Sequence, residues 1–160
     1  MKKLLGLVLS VTLLMGFVTF PAWAQETIYP KVMHTYTTTE DFSSDEWSTA
    51  LRGAYLLSGT SVIARYGTKS IAVSGSTNAT QYVDKVRLTL YVERSTSYAT
   101  GYGTYKTYSY SAENVYQLVK EISNIPVERG YYYRVTGVHS VTHNGITETT
   151  NSVTNPISYL

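Results

Sequence analysis

The sequence predicts an all-β protein, a single antiparallel β-sandwich of the Ig or fibronectin type III-like kind, with about seven or eight strands. Three observations carry this. Short apolar–polar alternations recur about every ten residues from Ala50 onward, divided by Gly, Ser and Asn. Asn144-Gly145 stands between two such runs, the strongest short hairpin signal, because both residues tolerate positive φ. Residues 127–135 read V-x-x-G-x-x-Y-x-V, the spacing of a tyrosine corner.

The chain divides into three parts. Residues 1–24 read as a signal peptide. Lys2 and Lys3 precede the apolar run Leu4–Phe20, Pro21 breaks it, and Ala22-Trp23-Ala24 supplies the small-x-small pattern for cleavage between Ala24 and Gln25. An apolar run of about 17 residues sits at the short edge for a membrane span, and the break favours cleavage. Residues 25–49 are rich in Thr, Ser and acids without an apolar period, which predicts a polar, partly disordered leader, with Phe42 and Trp47 able to tuck back. Residues 50–160 form the expected sandwich domain.

Within that domain the elements follow in order. "AYLLSG" (54–59) and "SVIARYG" (61–67) come first, then "KSIAVSG" (69–75), with Ile71 and Val73 on one face. "GSTNATQ" reads as a turn into the best strand, "YVDKVRLTLYVER" (82–94). There Val86, Leu88, Leu90 and Val92 point one way and Arg87, Thr89, Tyr91 and Glu93 the other. That alternation predicts one buried and one wet face. "STSYATGYG" (95–103) reads as a loop around Gly101 and Gly103, and "TYKTYSYS" (104–111) as a strand. Residues 111–123 fit both a helical template, through Val115, Leu118, Val119 and Ile122, and a period of two. Strand is chosen because every neighbour is β. "GYYYRVTGVHSV" (130–141) is a strand, "HNGI" closes the hairpin, "ITETTNSV" returns, and "NPISYL" adds a last edge.

Charge and cysteine content exclude several functions. Lys2 and Lys3 account for the whole formal excess of +2, so the chain after cleavage is formally neutral and carries no nucleic-acid signature. There are no cysteines, which rules out disulfides, thiolate metal sites and cysteine nucleophiles. With no thioether anchor and no apolar C-terminal tail, the protein is expected to be released outside the cell, with no membrane contact.

The 16 tyrosines are the unusual feature. In the corner pattern Tyr133 is scaffold: its ring is buried while its hydroxyl bonds to the backbone upstream. Tyr131 shares its face, and Tyr132 and Arg134 lie on the other. Tyr91, Tyr105, Tyr108, Tyr110 and Tyr132 are the outer-face candidates, able to stack on sugar rings or anchor a protein partner. Tyrosine is also a good strand former on any half-buried surface, which needs no ligand.

Catalytic constellations are sparse. His139 and His143 share a strand face, and Glu148 falls across the hairpin near Val141, the one set with the makings of a metal site. Polar residues at a hairpin tip are the better account of it. No phosphate loop and no G-x-S-x-G elbow is present. Asp84 and Glu93 face opposite ways along one strand and make a poor acid pair.

Four elements carry a resemblance: "VD" before the long strand, "ER" at its end, "GYYYRV" with a following histidine, and "NGITET". Through them residues 50–157 resemble a family of small secreted proteins from Gram-positive, clostridium-like bacteria, a domain of unknown function. "GYGTYKTYSY" departs from the tryptophan-centred strand of that family. The resemblance implies secretion and a β-sandwich and adds no site residues. The sequence therefore predicts an exported, non-enzymatic protein without cofactor or metal, acting by surface contact with a glycan, cell-wall polymer or protein. The alternatives are a hydrolase or metal enzyme centred on His139, His143 and Glu148, and a self-assembling matrix component whose strand edges pair.

Overall fold

A computed structural model describes residues 32–39, 41–49 and 55–159. The expected signal segment and its cleavage position lie outside the described residues, as do residues 25–31 and the Trp47 side chain. Among the described residues every regular element is a strand: β1 Val32–Thr38, β2 Phe42–Thr49, β3 Leu56–Gly67, β4 Ser70–Ser95, β5 Gly103–Pro126, β6 Tyr131–His143, β7 Ile146–Val153 and β8 Ile157–Tyr159. All pairings are antiparallel. The all-β, sandwich-like fold is as the alternation predicts, and residues 111–123 are strand, inside β5.

The architecture turns on β4. It pairs with β5 from Ser70 to Arg94 but changes its other neighbour midway. Ile71–Ala79 pair with β3, and Lys85–Ser95 pair with β6. The inward residues are odd-numbered through Val83 and even-numbered from Val86. Between those two registers Asn78 pairs Gln117 while the next partnered residue, Val83, pairs Val115, so β4 carries extra residues at the bend. The ribbon thereby folds one continuous sheet into two layers. β1, β2, β3 and the first half of β4 lie in one, and β6, β7, β8 and the second half of β4 lie in the other. The halves of β4 face each other so closely that a Cβ on Gly75 would meet Leu90 at 2.8 Å.

The structure corrects two expectations here. "GSTNATQ" is not a turn but part of β4. Its polar residues are spent sideways: the Asn78 amide donates to Ser58 Oγ at 2.9 Å, and its carbonyl accepts from Gln117 Nε2 at 2.8 Å. Within the expected leader, Val32–Thr38 and Phe42–Thr49 pair as the β1–β2 hairpin, with β2 paired along β3. Its inward side chains include Ser43 and Asp45, both fully buried, so no apolar period announces the strand. The Asp45 carboxylate accepts from Val153 N at 2.6 Å and ties this hairpin to β7.

A hydrophobic core gathers Leu56, Ile63, Ile71, Val73, Leu88, Leu90, Val92, Val135 and Val141. Tyr133 closes one end as the corner spacing predicts. It is fully buried, its hydroxyl accepts from Glu128 N at 2.9 Å, and it donates to Glu128 O at 3.3 Å. Gly130 takes φ +88° in the corner, where its missing Cβ removes the steric penalty. The rings of Tyr105, Tyr131 and Tyr159 surround it at 5.8, 6.3 and 6.0 Å. Arg94 lies 4.6 Å from both the Tyr105 and Tyr131 rings and pairs with Glu128 at 2.9 Å. The hairpin also forms as expected, with Asn144 and Gly145 both at positive φ and Val141 opposite Glu148.

Toward the other end the layers meet through a buried polar cluster. His139 Nδ1 lies 3.0 Å from Thr77 Oγ1, and Nε2 lies 2.8 Å from Ser152 Oγ. Ser152 in turn donates to Ser61 Oγ at 2.7 Å. Glycine makes room for it: a Cβ on Gly59 would fall inside the His139 ring contact, and one on Gly137 would meet Ser61, His139 and Ser152.

Gly137→Ala is therefore expected to destabilise the protein by about 1–3 kcal/mol, the usual cost of overpacking a tight core, read from the urea midpoint. A second expectation concerns pH. Burial pushes the pKa of His139 down to about 4 from its ordinary 6.5. The unfolded chain takes up the proton first, so the neutral ring's contribution is complete above pH 6.5 and is lost as pH falls toward 4. The loss by pH 4 is about 3 kcal/mol, and a His139→Gln variant should show a shallower decline of urea midpoint across that window.

Candidate binding face

The outer face of the second layer follows from the alternation of β4. Val86, Leu88, Leu90 and Val92 are fully buried, which turns Lys85, Arg87, Thr89, Tyr91 and Glu93 outward. Directly paired residues of antiparallel strands share a face. On the β5 side, Glu113, Ser111, Ser109 and Thr107 therefore stand opposite Lys85, Arg87, Thr89 and Tyr91. On the β6 side, Thr142, Ser140, Val138, Thr136 and Arg134 stand opposite Lys85, Arg87, Thr89, Tyr91 and Glu93. β7 extends the face with Thr147, Thr149 and Asn151. The result is a hydroxyl-rich surface four strands wide with Tyr91 near its middle.

Two features give this surface relief. A shallow open groove of about 230 Å³ is lined by Arg87, Thr89, Ser109 and Ser111, and reaches Tyr110 where it lies between the two serines on β5. Thr89 Oγ1 and Ser109 Oγ share a hydrogen bond of 3.1 Å across it. Beyond Tyr91, the segment after β4 folds back over the sheet. The Arg134 guanidinium lies 4.1 Å from the Tyr102 ring, and the Tyr98 ring meets Tyr132 edge-on at 5.6 Å. Tyr102 donates to Tyr98 O at 2.9 Å. Glu93 holds Arg134 at 2.7 Å and accepts from Thr136 Oγ1 at 3.2 Å. Burial raises the Tyr102 phenol pKa, and the nearby Arg134 charge opposes the rise. This arrangement holds aromatic rings and hydroxyls in fixed positions.

Of the five outer-face tyrosines, Tyr91 and Tyr132 stand on this side. Tyr105, Tyr108 and Tyr110 do not. Tyr108 and Tyr110 pair directly with Leu90 and Leu88, which turns their rings to the inner side. A bulge between Val92 and Glu93 places Tyr105 beside Tyr133, and all three half-buried rings pack on the core. Their periodicity reveals two faces of a strand but not which one is covered; only the register with β4 decides it. Arg87, Thr89, Ser109, Ser111, Tyr98 and Tyr102 join this face without a sequence motif that marks them as site residues. The outward parity of Arg87 and Thr89 was legible, whereas the rings of a Gly-rich loop give no direction in sequence.

The His139, His143 and Glu148 set is dispersed by its partners. His139 is enclosed among hydroxyls, His143 Nδ1 faces Asp84 at 3.4 Å, and Glu148 accepts from Leu56 N at 2.6 Å. Among the described residues no three His, Asp or Glu side chains converge as metal ligands.

Compared with known proteins, the chain matches the model of a family of unknown function (DUF6147) over residues 22–157. The match includes the β1–β2 hairpin, upstream of the segment that carries the resemblance in the sequence. No curated protein matches the chain.

The Tyr98–Tyr102 segment depends on Arg134, so Arg134→Ala is expected to speed amide hydrogen exchange across residues 96–102. The global cost should stay about 1 kcal/mol or less, because the ion pair and the ring contact are both near the surface.

Proposed function

The chain belongs to the DUF6147 family, whose function is unknown, and we propose that it is an exported, non-catalytic protein that binds a saccharide chain across the outer face of β4, β5 and β6. The observation that carries this is the placement of Tyr91 in a field of hydroxyls beside an open groove. A sugar ring offers apolar C–H faces and a rim of hydroxyls. An aromatic ring receives the faces, while Ser, Thr and charged side chains exchange hydrogen bonds with the rim. Export is supported by the first 24 residues, whose charge, apolar run and small-x-small ending have the form of a signal peptide.

The non-catalytic reading is supported by the engagement of the three residues with the most chemistry, His139, His143 and Glu148, in contacts that hold the fold. Self-assembly through β5 is the weaker reading. Among the described residues β5 pairs only with β4, which leaves a long edge. Asn114 and Asn124 take positive φ along it, and such irregularities blunt an edge against pairing with another chain.

Calorimetric titration against a panel of bacterial wall and host glycans tests the saccharide reading. Tyr91→Ala is expected to weaken binding at least about tenfold, as loss of a central aromatic anchor does, while the urea midpoint stays nearly unchanged. Absence of binding across the panel by the unaltered protein would sink the proposal.

A further inference from the structure

The proposed saccharide face carries an unbalanced charge at a defined place. Its cations are Lys85, Arg87 and Arg134, and its carboxylates are Glu93 and Glu113. Each carboxylate is already claimed. Lys85 pairs with Glu113 at 3.2 Å, and Arg134 pairs with Glu93 at 2.7 Å. Arg87 is exposed and makes no ion pair among the described residues. It lines the groove, with Ser111 and Ser140 opposite it on either side and the Thr89–Ser109 hydroxyl pair next along the strands.

These groups have the chemistry of an oxyanion site. A guanidinium presents parallel N–H donors that match two oxygens of a carboxylate or phosphate. Each hydroxyl supplies a rotatable donor for the lone pairs the guanidinium leaves unmet. The groove is open, which suits a substituent on a polymer that lies along the face better than an enclosed small molecule.

We infer that the groove at Arg87 is an oxyanion subsite, and that the bound saccharide is an acidic one whose carboxylate or phosphate group is received by Arg87, Ser109 and Ser111. This rests on the saccharide reading and adds the class of sugar. The partners of the other charges on the face sharpen it. With Lys85 and Arg134 neutralised locally, selectivity for an anion resides in one side chain, and the remaining face is free to bind neutral sugar rings.

The test is calorimetric titration of the full chain at low ionic strength with three probes. They are an oligogalacturonate, the same oligosaccharide with its carboxyl groups reduced to alcohols, and a glycerol-phosphate oligomer. The variants are Arg87→Gln, Tyr91→Ala and, as a remote control for net charge, Lys69→Gln. At least one anionic probe is expected to bind about tenfold or more tighter than the neutral oligosaccharide, with the preference falling as salt rises. Arg87→Gln should erase the preference for the anionic form while the urea midpoint persists. Lys69→Gln should leave the preference intact. Whichever anionic probe is preferred identifies the group as carboxylate or phosphate. Equal binding of acidic and neutral forms, or a preference that survives Arg87→Gln or disappears equally in Lys69→Gln, overturns the subsite and leaves the saccharide reading standing. Binding of no probe by the unaltered protein overturns the subsite and counts against the saccharide reading as well.

Discussion

One strand serving two layers is the constraint on which the other features depend. β4 keeps β5 as a partner throughout, yet exchanges β3 for β6 at the bend near residues 80–85. A strand has only two edges, so this exchange forces the sheet to fold on itself. Once folded, the inward parity of each half is fixed. Ile71 and Val73 meet Leu88, Leu90 and Val92 in one core, and every outward residue of the second half becomes part of a single surface. The outer face and the core are therefore two consequences of the same register.

Close approach of the layers explains the distribution of small and polar residues within them. Gly59, Gly75 and Gly137 occur where a Cβ would collide with the opposite layer. The imidazole of His139 fits only because its two nitrogens find Thr77 and Ser152. An unpaired buried polar atom costs free energy, so these bonds act chiefly as a condition on how the layers register. Asp45 and Glu148 play a related part by accepting backbone N–H groups from strands with which they are not paired. The interior is thus hydrophobic around Tyr133 and hydrogen-bonded around His139. This explains why a segment as polar as β2 belongs to the fold.

On the outer face, the aromatic groups are defined by their contacts. Tyr102 is held by Arg134 and by the carbonyl of Tyr98, and Arg134 is itself held by Glu93. These contacts tie the segment after β4 to the outer face of the second layer. The triplet Tyr131–Tyr133 shows how alternation divides such residues. Tyr133 is enclosed with Tyr131 beside it, while Tyr132 turns outward to Tyr98.

The fold class, the parity of the second half of β4, the tyrosine corner and the Asn144-Gly145 hairpin are legible in the amino-acid sequence. Each is a local pattern: period-two alternation, a fixed spacing around Gly130, and two residues tolerant of positive φ. It did not reveal that β4 runs unbroken through "GSTNATQ". There Asn78 resembles a turn residue until neighbours on both sides satisfy its amide. Nor did it place β1 and β2, whose buried side chains include Ser43 and Asp45. For the candidate site, outward Arg87, Thr89 and Tyr91 are legible, while Tyr105, Tyr108 and Tyr110, expected on the outer face, pack on the core instead. Alternation specifies that a strand has two faces; which one is buried depends on the partner strand's register, and that is set only when the sheet folds.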